Sequence, residues 1–186
     1  MCVCPCLFFF LTSSQIASAP TGVQVATLDI KKAYRTIPIR LQDKKFLVVA
    51  HWGEFWLDHV APFGLATAAG LQGEVADAVM DIWAALGVYP AAKWVDNVTL
   101  FRLPSPSVLP DDAGPFHYRY DREWAKALIA PLGVPWHPSK GQEFDFDFSY
   151  VGFRWDIPTR TIRLTEDKHR KIIAKIQAFL DDFERR

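Results

Sequence analysis

Lys93-Trp94-Val95-Asp96-Asn97-Val98-Thr99-Leu100-Phe101 is the stretch from which the fold is read. Lys93–Val95 and Val98–Phe101 are short apolar runs, and Asp96-Asn97 between them favours a tight turn, so the stretch predicts a hairpin. Upstream, Val23–Ile30 reads as a buried strand closing on Asp29. If these strands are neighbours, Asp29 and Asp96 lie side by side at one edge of a sheet. Paired carboxylates there, backed by Lys and Arg, suit two divalent cations and phosphoryl transfer. On those two residues alone, a strand cap and an ordinary turn are the commoner explanation.

Outward from this centre, Lys45–Trp52 and Phe55–Val60 predict strands joined at Gly53-Glu54. Thr67 predicts the cap of a helix running to about Leu86, with Leu71, Val75, Val79, Ile82 and Leu86 at helical spacing and Gly87 as the stop. Pro104, Pro106, Pro110 and Pro115 mark a loop. Tyr120–Ala130 reads as a helix with Trp124 and Leu128 on one face. Glu143–Phe148 alternates acid with Phe, which predicts one strand with its phenylalanines inward. Tyr150–Ile157 and Thr161–Leu164 flank Pro158-Thr159-Arg160 as a further hairpin. Thr165 then caps a helix to the C-terminus, with Glu166 and Asp167 at its positive first turn. Ile172, Ile173, Ile176, Phe179, Leu180 and Phe183 form its apolar stripe. Strand, hairpin, helix, hairpin, helix and strand together predict an α+β fold of ferredoxin-like type, an antiparallel sheet with helices on one face.

Composition bounds the function. The 186 residues suit one domain, or one domain with a tail, and half of them are hydrophobic, which excludes wholesale disorder. Lys+Arg and Asp+Glu both total 21, so nucleic-acid contact needs a local basic patch. Lys31, Lys32, Arg35, Arg40, Lys44 and Lys45 supply one, with Asp43 the sole acid among them. A solvated basic face is the ordinary reading of such a run, so it counts as support only. No apolar run has the roughly 20 residues that a membrane-spanning helix needs. Cys2, Cys4 and Cys6 are the only cysteines, which fits neither a disulfide framework nor a zinc site.

Residues 1–20 carry no charge. Leu7–Leu11 followed by Ala17-Ser18-Ala19 has some look of a secretory signal, but no Lys or Arg precedes it. The expectation is a poorly ordered start, or a segment foreign to the domain, in an intracellular protein of cytoplasm or nucleus.

The wording around the two Asp residues changes their weight. Leu28-Asp29-Ile30-Lys31-Lys32-Ala33-Tyr34-Arg35-Thr36-Ile37-Pro38-Ile39 resembles the first palm motif of reverse transcriptases, an Asp followed five residues later by an aromatic. Pro62-Phe63-Gly64-Leu65 resembles the second motif of long-terminal-repeat retrotransposon polymerases. Lys93-Trp94-Val95-Asp96-Asn97 stands where they carry an aromatic, any residue, then Asp-Asp. Leu132-Gly133-Val134-Pro135-Trp136-His137-Pro138-Ser139-Lys140 looks like the fourth motif, and Tyr150-Val151-Gly152-Phe153 like the fifth. Thr165-Glu166-Asp167-Lys168 and the following helix are similar to the opening of the thumb. The resemblance covers about residues 18–186, with a flavour of the retroelement polymerases of fungal genomes.

This resemblance implies a division into residues 1–20 outside the family, 21–157 as palm, and 158–186 as hairpin strand and helix leading to the thumb. It implies an RNA-directed DNA polymerase with Mg²⁺ or Mn²⁺, a template-primer of RNA or DNA, and deoxynucleotide triphosphates. Asp29, the Ile30 carbonyl and Asp96 would hold metal. Tyr34 would be the steric gate beneath the incoming sugar, with Arg35 beside it, and Pro62, Phe63 and Gly64 would border the nascent pair. Lys140 would sit near the phosphates as a proton donor, and Gly152 and Phe153 would shape the primer grip. The chain departs from the pattern at Asn97, which replaces the second Asp and removes a negative charge, and at Trp94, which replaces the usual Tyr or Phe. Fingers, the rest of the thumb and RNase H parts are expected from another chain. Independent polymerase activity is therefore expected to be weak or absent, and the alternative is a non-catalytic remnant that binds nucleic acid or a protein partner.

Overall fold

The computed structural model describes residues 12–105 and 116–184. In chain order the elements are β1 (Gln24–Asp29), β2 (Val48–His51), β3 (Glu54–Leu57), α1 (Ala68–Ala85), β4 (Ala91–Trp94), β5 (Asn97–Arg102), β6 (Pro104–Ser105) and β7 (His117–Tyr118). There follow α2 (Arg122–Leu128), β8 (Gln142–Asp145), β9 (Asp147–Tyr150), β10 (Phe153–Asp156), β11 (Thr161–Leu164) and α3 (Glu166–Glu184). The central sheet has the order β4-β5-β1-β8 and its described pairings are antiparallel. With α1 after β1 and α2 after β5, this is the ferredoxin-like arrangement.

Strand alternation decides which face is which. Ala26 and Leu28 of β1 pair with Leu100 and Val98 of β5, and this face carries the helices: Leu28, Val98 and Leu100 are buried with Val79 and Trp83 of α1 and Ala125 and Ile129. The Trp83 indole donates to the Ala125 carbonyl at 2.7 Å, tying the two helices together. Val25 and Phe101 point to the other face, where Phe148, Tyr150 and Trp155 of the second sheet, β11-β10-β9, and Ile157 just after β10 cover them. Further along that second face, Asp29 is set opposite Asn97.

The structure shifts several predicted details by one residue. The α1 core stripe is Ala68, Gln72, Ala76, Val79 and Trp83, while Leu71, Val75 and Leu86 are exposed. The first hairpin turns at Trp52-Gly53, both with positive φ (50° and 79°), because β2 pairs His51 with Glu54. The central hairpin turns at Val95-Asp96, and Asn97 opens β5 opposite Trp94. The helix expected at Tyr120–Ala130 is shorter, capped by the Asp121 carboxylate accepting from the Trp124 amide at 2.7 Å. It buries Ala125, whereas Trp124 stays exposed and stacks on Tyr120.

The acid–Phe run is two strands, not one. Its first half joins β1 and its second half joins β10, so the chain bends at Phe146. The phenylalanines do turn inward: Phe148 is fully buried and Phe144 packs edge-on to Tyr120. Residues 12–17 are helical, and Ile16 is buried against Val23, Phe101 and Trp155, so residues 12–20 are a packed lead-in. Residues 1–11, with all three cysteines and the Leu7–Leu11 run, lie outside the described residues, as do 106–115 within the proline loop. Among the described residues no helix is long and apolar enough to cross a membrane.

Candidate functional site

Asp29 ends β1 and is buried. Its placement is over-determined by backbone bonds. The Ile30 amide donates to the Asp96 carbonyl at 2.7 Å, the Lys31 amide to the Pro135 carbonyl at 2.7 Å, and the His137 amide to the Asp29 carbonyl at 2.8 Å. The chain after β1 is thus clamped between the β4–β5 turn and the 135–137 segment. Ile30 bridges Trp136, which stacks on Trp83 with centroids 5.8 Å apart.

Asp96 sits on a turn with positive φ at its first central residue only, Val95 at 55°. That is the pattern of a type II′ turn, where Gly is favoured. A β-branched residue there is strained. Gln72 of α1 braces the turn, its amide donating to the Val95 carbonyl at 3.1 Å. Gln72 is buried and its Oε1 has no hydrogen-bond partner. The sequence reading missed Gln72; the available signal was a polar residue at a helical repeat of Ala68, Ala76, Val79 and Trp83.

Both carboxylates already face a donor. Lys140 Nζ lies 3.3 Å from Asp29 Oδ2, and Asn97 Nδ2 donates to Asp96 Oδ1 at 2.9 Å. Gly141 brings Lys140 in. Its φ is +93°, and a Cβ there would stand 2.4 Å from the Thr27 carbonyl oxygen, so only glycine allows this approach. The Tyr150 hydroxyl donates to the Asn97 carbonyl at 3.1 Å, and burial pushes this phenol far up, so it stays a neutral donor.

Two cavities open on the site and share Asp29 and Lys140. One, of about 320 Å³, is bordered by Lys31, Lys32, Tyr34, Phe63, Asp96 and His137. The other, of about 230 Å³, is bordered by Asn97, Gln142, Tyr150 and Val151. Tyr34 meets Phe63 edge-on at 5.1 Å. Asp29, Ile30, Asp96, Asn97, Lys140, Tyr34 and Phe63 therefore converge. Pro62 and Gly64 are chain neighbours of Phe63 that do not border either cavity.

Arg35 is turned away. Its guanidinium pairs with Asp58 at 2.5 Å and thereby holds that carboxyl below its usual range. Gly152 and Phe153 lie one step beyond the second cavity; the Gly152 carbonyl accepts from the Thr165 amide at 3.3 Å, and Lys168 rides 4.3 Å above the Phe153 ring. His137 was not given a role from sequence; only its position between Trp136 and Pro138 in the fourth motif marked it.

Asp29, Asp96 and Asn97 bring two carboxylates and one side-chain amide to this edge, with Ile30 lining the larger cavity beside them. That is a hard-oxygen set, suited to Mg²⁺ with water and phosphate completing its shell. Among the described residues no cluster of three or more His, Cys, Asp or Glu could hold a metal.

No protein-family profile and no curated protein matches the chain. Solved structures do. The foamy viral protease-reverse transcriptase in complex with RNA/DNA hybrid is similar with a TM-score of 0.58 at 16% identity, over 85% of this chain and 20% of that one. Its dRH form in complex with double-stranded DNA gives 0.59 at 15% identity, over 86% of this chain and 25% of that one. A third, also with double-stranded DNA, gives 0.57 at 16% identity, over 92% and 34%. The chain spans roughly a fifth to a third of these proteins, and the likeness establishes a reverse-transcriptase-like fold.

Proposed function

We propose that this chain is the palm of a retroelement-type reverse transcriptase, built for transfer of a deoxynucleotide to a primer 3′ end and attenuated by Asn97. The observation that carries the reading is the convergence of Asp29, Asp96 and Lys140 on the larger cavity, with Asp29 and Lys140 shared by the second. A bound Mg²⁺ or Mn²⁺ would supply Lewis-acid stabilisation of the charge that develops on a transferred phosphoryl group. The chain's own residues do the rest. Lys31 and Lys32 attract the triphosphate into the larger cavity, where Tyr34 and Phe63 form an apolar wall against the sugar. Asp29, the Ile30 carbonyl and Asp96 would hold that cation, and Lys140, whose Nζ stands 3.3 Å from Asp29, would present a proton toward the leaving phosphates. Tyr150 fixes the Asn97 backbone, and Val151 with Gly152 and Phe153 borders the primer side.

Asn97 leaves the site one carboxylate short, so cation affinity falls and transfer slows. The test is extension of a template-primer of RNA or DNA with deoxynucleotide triphosphates in Mg²⁺ and in Mn²⁺. The expected order is Asn97→Asp above the unmodified chain, and Asp29→Asn at background. Extension by Asp29→Asn equal to the unmodified chain would overturn the reading. Fingers, thumb or RNase H parts from another chain would raise all the active forms together.

A second reading is favoured by one observation: Lys140 and Asn97 already satisfy the two carboxylates internally. In this form the chain binds nucleic acid through Lys31 and Lys32 without turnover. It predicts salt-sensitive binding of a template-primer that Lys31→Ala with Lys32→Ala weakens, and no extension by Asn97→Asp.

A further inference from the structure

The turn that carries Asp96 has two accessible forms, and its local sequence leans to the one not observed. Trp94 pairs with Asn97 across it, so Val95 and Asp96 are its two central residues. Val95 lies at φ 55° and the φ of Asp96 is not positive, which is the type II′ pattern. Rotating the peptide between them by half a turn gives type I′, with φ positive at both residues. Type II′ favours glycine at its first position. Valine is less crowded in the left-handed helical well that type I′ offers, and aspartate tolerates that well at the second position.

Gln72 holds the other form. The Val95 carbonyl belongs to the rotating peptide, and the Gln72 amide donates to it at 3.1 Å. That peptide is trans, so the Asp96 N–H points away from α1. Gln72 is 3% exposed, on the face of α1 that buries Ala68, Ala76, Val79 and Trp83, and its Oε1 has no hydrogen-bond partner. A buried acceptor left unpaired is costly, so a position that served packing alone would be better filled by an apolar residue. Two further contacts keep α1 within reach of the turn: Lys93 of β4 donates to the Gly73 carbonyl at 2.6 Å and pairs with Asp77 at 2.9 Å. The next carbonyl, that of Asp96, accepts from the Ile30 amide at 2.7 Å. Both central carbonyls of the turn are thus pinned, one by α1 and one by the chain after β1.

We propose that Gln72 is a positioning residue that selects the type II′ turn and thereby aims Asp96 at the larger cavity, which Val95 and Asp96 both border. Loss of its amide frees the central peptide to rotate, reverses the sign of φ at Asp96 and redirects the carboxylate. The consequence for cation affinity rests on the nucleotidyl-transfer reading; the selection of the turn does not.

The test uses Gln72→Met, Val95→Gly and the two together, with Gln72→Leu as a second apolar replacement. Met nearly keeps the volume of Gln72 and removes both its donor and its orphaned acceptor. The amide protons of residues 95 and 96 are close in type I′ and far apart in type II′, so the nuclear Overhauser effect between them reports the turn. It should be weak in the unmodified chain and in Val95→Gly, strong in Gln72→Met, and weak again in the double variant, because glycine takes type II′ without a brace. Mn²⁺ affinity, read from the paramagnetic resonance of the free ion, should fall about tenfold in Gln72→Met and recover in the double variant. A glutamine that only filled space would show no such rescue. An effect that stays weak in both apolar replacements overturns the proposal, as does a double variant that keeps the turn of Gln72→Met. A switched turn with unchanged Mn²⁺ affinity overturns the positioning role. Turns that switch as expected in a chain that binds no Mn²⁺ uphold the selection of the turn and overturn the nucleotidyl-transfer reading instead.

Discussion

Two hairpins of this molecule are built alike and live in opposite surroundings. Both β2–β3 and β4–β5 turn through two residues, and each forces a large non-glycine residue into the left-handed region, Trp52 in one and Val95 in the other. The β2–β3 strands carry Val48, Val49, Phe55, Trp56 and Leu57, yet every strand position is exposed. The β4–β5 hairpin has the less apolar outer strand, Ala91-Ala92-Lys93-Trp94, yet its inner strand is buried from Val98 to Phe101. Hydrophobicity did not decide this. Position in the sheet did, because β5 has β1 on its other edge, α1 on one face and the second sheet on the other. The exposed hairpin is an unfilled apolar surface, whereas the buried one is a platform stiff enough to hold Asp96 on a strained turn.

Truncation of one tryptophan in each region sharpens the contrast most. Trp83→Ala removes a fully buried ring that packs on the β4–β5 platform and should cost about 3–5 kcal/mol in urea unfolding. Trp56→Ala, 57% exposed on the other hairpin, should stay within about 0.5 kcal/mol. Equal losses would mean that β2–β3 is packed in solution against something.

Glycine substitutions extend the same contrast to the backbone. Gly141→Ala strains a φ of +93° and drives a Cβ into the Thr27 carbonyl, so about 2–4 kcal/mol should be lost. Gly53→Ala, at φ +79° with nothing within 4 Å, should lose about 1 kcal/mol through conformation alone. Thermal melts of the pair would show it, and a Gly53→Ala loss as large as that of Gly141→Ala would break the distinction.

Alkaline titration probes the buried region only. Burial pushes the Tyr120 phenol up to about 12, and its hydroxyl donates to the Phe101 carbonyl at 2.5 Å. The folded state therefore keeps a proton that the unfolded chain releases near 10. This stabilisation is complete below pH 10 and is lost as pH rises toward 12, about 2–3 kcal/mol in all. Tyr120→Phe should flatten that part of the stability profile. A profile as steep in Tyr120→Phe as in the unmodified chain would move the effect to other groups.

These contrasts also show what sequence could and could not reveal. Asp29 and Asp96 were legible as neighbours because strand closure and hairpin position survive small errors of register. Turn residues were misplaced by one, at Gly53-Glu54 and Asp96-Asn97, because turn preference favours Gly, Asp and Asn. Cross-strand pairing instead placed Trp52 and Val95 at positive φ. The α1 stripe was misread for a related reason. Leu71 and Val75 outweigh Gln72 and Ala76 on any scale of side-chain apolarity, but the close packing of α1 on the sheet takes the small residues and a hydrogen-bonded Gln72. Arg35 was legible as basic but not as paired, since Asp58 is twenty-three residues away in sequence.

The smallest effect is the most informative about the β4–β5 platform. Asn97→Asp keeps the side chain's shape, adds a negative charge beside Asp29 and Asp96, and replaces the Nδ2 donor to Asp96 Oδ1 with an acceptor. Without divalent cations the variant should melt slightly earlier, by about 0.5–1 kcal/mol, from like-charge repulsion at a partly exposed edge. Lys140, whose Nζ lies 3.3 Å from Asp29, limits the loss. Millimolar Mn²⁺ or Mg²⁺ should then reverse the sign, because binding to the folded state stabilises by mass action, and the added carboxylate tightens that binding more than in the unmodified chain. Differential scanning fluorimetry with and without cation measures both arms. No cation shift in either protein would mean that no cation sits between Asp29 and Asp96, and the platform would then hold its acids for Lys140 and Asn97 alone, whereas equal shifts would remove residue 97 from the cation's shell.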